Sequence, residues 1–187
     1  FIKRHSMIIT LNGYPGSGKS TVGKLLATRL NIKRYAMGDL RRDAAEERGM
    51  TLEAWNTLGE TSPETDLYVE EKVKQLGRGE DHFLLDSRTA FHYIPNSVKI
   101  FLTVDPKEGA RRIFEDIQAG ARDEQNPYTS IKEVVEANAE RTESDNRRYQ
   151  KYYGFRWDNL EAYDHVIDTT FIPPEKVVDQ IIEAIHI

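Results

Sequence analysis

The chain has 187 residues, 39% hydrophobic and 30% charged, with a formal net charge of −5. That length and mixture suit one folded domain with a substantial core and exclude an intrinsically disordered chain. The acidic balance weighs against a general nucleic-acid binder, and the lack of cysteine excludes disulfides and thiolate metal sites.

Phe1 to Ser6 precede the first plausible initiator, Met7, and are set aside as a remnant outside the fold. Met7 to Leu11 is a short apolar, β-branched run suited to a buried parallel strand. Gly13-Tyr14-Pro15-Gly16-Ser17-Gly18-Lys19-Ser20 follows and reads G-x-x-x-x-G-K-S. Thr21 to Leu30 then sets Val22, Leu25, Leu26 and Leu30 at helical spacing. Strand, glycine loop and helix form the setting in which this motif is a P-loop.

Lys33 to Ala36 is a weak second strand ending at Met37-Gly38-Asp39. From Leu40 to Gly77 helix formers dominate, broken at Gly49-Met50-Thr51 and at Thr61-Ser62-Pro63. Thr51 and Ser62 each stand where an N-cap would, with acidic residues in the following turn. Three helices in series exceed what one crossover needs and indicate an inserted subdomain. His82 to Asp86 and Ser97 to Val104 are the next strands, and Asp105-Pro106 opens another helix. Ala119 to Tyr128 is polar and reads as a mobile loop; Ser130 to Tyr153 is a long charged helix. His165 to Asp168 is the last strand, and Pro174 to Ile187 the closing amphipathic helix. Strands alternating with helices imply an α/β fold with a five-stranded parallel, doubly wound sheet.

The loop from Gly13 to Thr21 is expected to bind a nucleoside triphosphate. Glycines let backbone N–H groups converge on phosphate, and the helix start adds its positive dipole end. Lys19 suits the β- and γ-phosphates, and the Ser20 hydroxyl suits Mg²⁺. Asp86, at the end of an apolar strand, reads either as a second Mg²⁺-holding carboxylate or as a strand-end cap. Asp39 reads either as an acceptor contact or as the N-cap of the next helix. Arg42 and Arg88 follow strand ends, where open parallel sheets bind ligands, and their guanidinium forks suit phosphate. Arg141, Asp145 and Arg148 stand at i, i+4 and i+7, on one face of the long helix. They form either a surface salt bridge or a row directed across the cleft. Asn-Lys-x-Asp and Asp-x-x-Gly are both missing, which argues against a GTP-driven switch. The five histidines, His5, His82, His92, His165 and His186, lack metal-ligand spacing.

Several blocks together resemble nucleoside monophosphate kinases, above all the short, archaeal-type cytidylate kinases. They are Pro15-Gly16-Ser17-Gly18-Lys19-Ser20, Gly38-Asp39, Glu47 to Glu53, Lys99 to Thr103, Glu140 to Tyr149 and Tyr163 to Thr170. The resemblance implies a three-layer P-loop NTPase fold over residues 7–187. It also implies a helical acceptor-binding insertion at about 39–77 and a lid at about 119–130. It implies transfer of the ATP γ-phosphoryl group to CMP or dCMP with Mg²⁺. By the same resemblance Lys19, Arg88, Arg112, Arg141 and Arg148 serve the transfer. Asp39, Arg42, Arg88, Arg141 and Asp145 would contact the acceptor, and Ser20 and Asp86 the metal. The family's Glu-Gly-Arg stands here as Asp86-Ser87-Arg88, followed by an unfamiliar aromatic set with Phe91 and Tyr93. Those two rings either pack the core edge or stack on an acceptor base. A P-loop kinase for another small phosphorylated metabolite, and a regulatory nucleotide-binding module without transfer, are the alternatives. A cytoplasmic monomer whose partners are small nucleotides, with neither nucleic-acid polymer nor membrane, is expected.

Overall fold

A computed structural model describes residues 7–120 and 128–185. Its five-stranded sheet has the order β2-β3-β1-β4-β5, with β1 at Met7–Gly13, β2 at Lys33–Ala36, β3 at His82–Asp86, β4 at Val98–Thr103 and β5 at His165–Asp168. β1 and β2 each pair in parallel with β3, and β4 pairs in parallel with β5. Ile9, Leu11, Phe83, Leu84 and Leu85 are wholly buried. Their unbroken apolar runs suit strands covered on both faces.

By its internal contacts the chain divides into two compact units. One takes in the chain up to Leu11 together with Gly23–Lys99. Here α1 (Lys19–Leu30) leads through β2 to α2 (Met37–Glu47), α3 (Leu52–Thr61) and α4 (Glu64–Gly79). The breaks expected at Gly49 and Pro63 are where these helices separate. Thr51 caps α3 through its hydroxyl, which accepts from Ala54 N at 3.1 Å. Ser62 does not cap α4: Pro63 takes that position, and Ser62 Oγ accepts from Glu64 N at 3.3 Å. Leu40, Ala44, Trp55, Val69 and Val73 from the three helices share one core with Phe83 and Leu85 of β3. A short helix that the sequence reading missed, α5 (Ala90–Tyr93), closes this unit. Phe91 is buried, and Tyr93 packs on the same core and donates to Glu70 at 2.8 Å. Both rings therefore pack the core edge.

The other unit comprises Asn12–Val22 and the chain from Ile100 onward. α6 (Pro106–Gln118) and α7 (Ile131–Tyr153) pack through Ala110, Ile113 and Val134. Asp105 caps α6, its Oδ1 accepting from Lys107 N at 2.9 Å and Glu108 N at 3.0 Å. Ser130 caps α7, and Gly154 ends it in the left-handed conformation at φ 77°. α8 (Pro174–Ile185) buries Val177, Val178 and Ile181. Most of the expected lid, residues 121–127, lies outside the described residues.

Asp105→Ala removes both cap bonds of α6. It is expected to cost about 1 kcal/mol, read as a fall in chemical-denaturation midpoint with unchanged slope.

Candidate active site

The phosphate loop begins where β1 ends and finishes in the first turn of α1. Two glycines carry its curvature, Gly16 at φ 78° and Gly18 at φ 82°. A Cβ on Gly16 would lie 2.2 Å from Gly109 O, so the loop and α6 approach more closely than any side chain allows. Gly109, whose own Cβ would lie 2.8 Å from Pro15 O, is the matching half of that contact. Ser17 N donates to Tyr14 O at 3.1 Å and closes the turn. The N–H groups of Gly16, Gly18, Ser20 and Thr21 have no acceptor among the described residues. With the opening turn of α1 they form a concave, electropositive cradle. Ser17 Oγ is buried and lacks a protein partner among the described residues. Lys19 is half-buried as the first residue of α1, and the Ser20 and Thr21 side chains are exposed.

Behind the loop lies an aromatic wall. The Tyr14 ring meets Phe101 and Trp157 edge-on, with centroids 5.1 and 5.8 Å away. Asn12 Nδ2 donates to Tyr163 Oη at 2.7 Å, Tyr163 donates to Trp157 O at 2.6 Å, and Trp157 N donates to Asn146 Oδ1 at 3.2 Å. The other end of Asn12 accepts from Gly13 N at 2.8 Å. Burial pushes the Tyr163 phenol pKa far above its ordinary 10.0, which keeps it a neutral donor in this chain.

Arg112 comes to the same loop from α6. Its Nη1 donates to Gly16 O at 3.3 Å, its Nη2 to Thr169 O and Thr170 O at 2.9 Å, and its Nε to Glu108 at 2.8 Å. The resemblance gives Arg112 a part in transfer; here its guanidinium is engaged in holding backbone. Glu108 also accepts from Arg111 at 2.8 Å. Arg111, then Arg112, hold its carboxyl at a pKa of about 2 against an ordinary 4.5.

In the unit that contains β2 and β3, those two strands finish level: Asp86 is in register with Ala36 of β2, and it also pairs with Leu11 of β1. Asp86 is nearly buried, and its Oδ2 accepts from Arg34 at 3.0 Å. Arg88, two residues beyond, is half-buried. Asp39 is not an N-cap, because α2 already opens at Met37 behind Ala36. It sits in the first turn, where its charge suits the helix dipole, and accepts from Arg42 at 2.9 Å. Both side chains are more than 60% exposed, at 63% and 62%. Arg41 turns inward from the same helix to pair with the buried Asp66 of α4.

On α7 the ion pair is not Arg141–Asp145 but Arg148–Asp145, at 3.2 Å and one turn apart. Arg148 Nη2 also donates to Tyr149 Oη at 3.2 Å. Arg141 is exposed and has no ion pair among the described residues. The contributions of Gly109 and Thr169 were missed in the sequence, although Thr169 lies in a block that carried the family resemblance.

Residues 9–131 match the AAA_18 family, described as an AAA domain. Over 181 residues the chain is 34% identical to a cytidylate kinase of Halobacterium salinarum, covering 96% of this chain and 89% of the relative. A cytidylate kinase of Methanocella arvoryzae is 36% identical over 182 residues, covering 96% and 97%. The chain belongs to the cytidylate kinase family. Its fold is also that of a shikimate kinase from Bacteroides thetaiotaomicron, with a TM-score of 0.67 at 16% identity, covering 97% of this chain and 99% of that one.

Two outcomes follow from this geometry. Gly16→Ala places a methyl group against the Gly109 carbonyl and is expected to weaken ATP binding by more than about tenfold, read by calorimetry. Because the Glu108 pKa is depressed when folded, its stabilisation is complete above pH 4.5 and vanishes as pH falls to about 2. Glu108→Gln should therefore lower the melting temperature at neutral pH and flatten its decline across that acid window.

Proposed function

We propose that the protein transfers the γ-phosphoryl group of ATP to a nucleoside monophosphate, CMP or dCMP. The observation that carries this reading is the cradle of N–H groups at Gly16, Gly18, Ser20 and Thr21 that have no acceptor among the described residues, with Lys19 opening α1 beside them. Family membership supports the choice of acceptor. An acceptor phosphate oxygen attacks the γ-phosphorus, the bond to the β–γ bridging oxygen breaks, and ADP leaves. The chain supplies no covalent nucleophile in this scheme. It aligns donor and acceptor, neutralises developing charge through Lys19 and arginines, and excludes water.

The N–H cradle fits a triphosphate, and the oxygen donors of Ser20 and Asp86 suit a hard divalent cation. Mg²⁺ bound there would neutralise charge on the β- and γ-phosphates. Arg34, by pairing with Asp86 at 3.0 Å, fixes the direction of that carboxylate. In this reading α2–α4 form the acceptor-binding insertion, and the segment at 119–130 the lid. Arg42 and Arg88 grip the acceptor phosphate, and Asp39, Arg141 and Asp145 complete the acceptor site. Arg148 is held by Asp145 and Tyr149 to meet the transferring group.

The test is ADP production from Mg·ATP with CMP, dCMP, UMP and AMP. CMP or dCMP should give the highest kcat/KM, and Lys19→Ala should lower it by roughly 10²–10³-fold. Lys19-dependent turnover with none of the four would remove the monophosphate assignment.

A further inference from the structure

Two successive carbonyl oxygens of the phosphate loop are held from behind. Gly16 O accepts from Arg112, and Ser17 O accepts from Thr169 Oγ1 at 3.0 Å. Thr169 follows β5 directly and is only 2% exposed. Its neighbours are tied as well. Asp168 Oδ1 accepts from Thr170 N at 2.8 Å and from Thr170 Oγ1 at 2.5 Å, and Thr170 Oγ1 accepts from Asp105 N at 2.9 Å. The turn that carries Thr169 is therefore rigid.

A threonine hydroxyl has one proton to give. Thr169 Oγ1 lies 3.0 Å from both Ser17 O and Thr103 O. Thr103 O already accepts from Thr169 N at 2.9 Å, whereas Ser17 O has no other donor among the described residues. A buried carbonyl without a donor is costly, so the proton belongs on Ser17 O. In a planar trans peptide the C=O of one residue and the N–H of the next point to opposite sides. Fixing Ser17 O toward Thr169 therefore turns Gly18 N–H away from it, toward the open side of the loop. A Cβ added at Gly18 would meet nothing within 4 Å, so no neighbouring element packs against the loop at that residue.

We propose that Thr169 is a positioning residue for the donor's phosphates: its hydroxyl sets the Ser17–Gly18 peptide plane so that Gly18 N–H faces the phosphate chain. This deepens the kinase reading and rests on the loop being the triphosphate site. Substrate need not touch Thr169 for the residue to act.

The experiment measures binding of ATP and of inorganic tripolyphosphate by calorimetry, with steady-state kinetics, for wild type, Thr169→Val, Thr169→Ser and Lys19→Ala. Valine keeps the shape and loses the hydroxyl; serine restores it. Thr169→Val is expected to weaken both ligands about tenfold, and to raise the KM for ATP while leaving that for the acceptor unchanged. Thr169→Ser should bind both ligands as wild type does. If Thr169→Val fails to fold, Thr169→Ala is measured in its place. Wild-type affinity for both ligands in the folded variant overturns the positioning role alone. Equal ATP affinity in wild type and Lys19→Ala overturns the loop assignment, and the inference with it.

Discussion

A loop that offers its N–H groups to an anion must send its carbonyl oxygens elsewhere. That constraint organises the unit around the phosphate loop. Tyr14 N is spent on Leu102 O of β4, at 3.1 Å, which anchors the start of the loop to the strand. Gly16 O and Ser17 O are taken by Arg112 and Thr169. The glycine contact between Gly16 and Gly109 lets α6 come near enough for Arg112 to reach. Each device serves the same end, which is to leave the first turn of α1 and the loop beside it with donors and no acceptors. Preorganised donors of this kind need little reorganisation when charge arrives.

Charge is placed locally rather than globally. The chain is acidic overall, with a net charge of −5, yet its proposed ligands are polyanions. The field at a site depends on the nearest charges in a poorly screened setting, so net charge does not decide the matter. Most arginines around the proposed site are paired, as in Arg34–Asp86, Arg42–Asp39 and Arg148–Asp145. A carboxylate beside each guanidinium lowers the cost of holding it in place before substrate arrives. Arg41–Asp66 joins α2 to α4 and, like Arg34–Asp86, is largely shielded from solvent. Removing one partner there would leave the other charge poorly solvated, so the pair fixes how α2 packs on α4 more than it stabilises the fold.

What the sequence made legible was mostly local. Apolar runs marked the strands, and helical spacing with Thr51, Asp105 and Ser130 marked the helix starts, because caps and periodicity act within a few residues. The glycine loop was legible for the same reason, its geometry being written into contiguous residues. Asp39 stayed open between two readings because a short acid near a strand end suits a cap as well as an acceptor contact. Only the actual start of α2 at Met37 separates capping from a first-turn charge. The brace behind the loop was illegible for a different reason. Thr169 and Ser17 are 152 positions apart, and Arg112 and Gly16 are 96 apart. Such contacts arise when β5 and α6 dock beside the loop, and no local period records them.

The same contacts separate the arginines by what each is free to do. Arg112 holds three carbonyl oxygens and Glu108, so any swing toward a transferring phosphoryl group would break the brace that shapes the loop. Arg148 keeps Asp145 and Tyr149 as fixed partners, which suits a group whose position must be set before reaction. Arg141, exposed and without an ion pair among the described residues, has no such tether. Two turns of one helix thus separate a held cation, Arg148, from an untethered one, Arg141. A held cation supplies preorganised charge. An untethered one can follow a ligand as it enters, at an entropic cost that binding must offset.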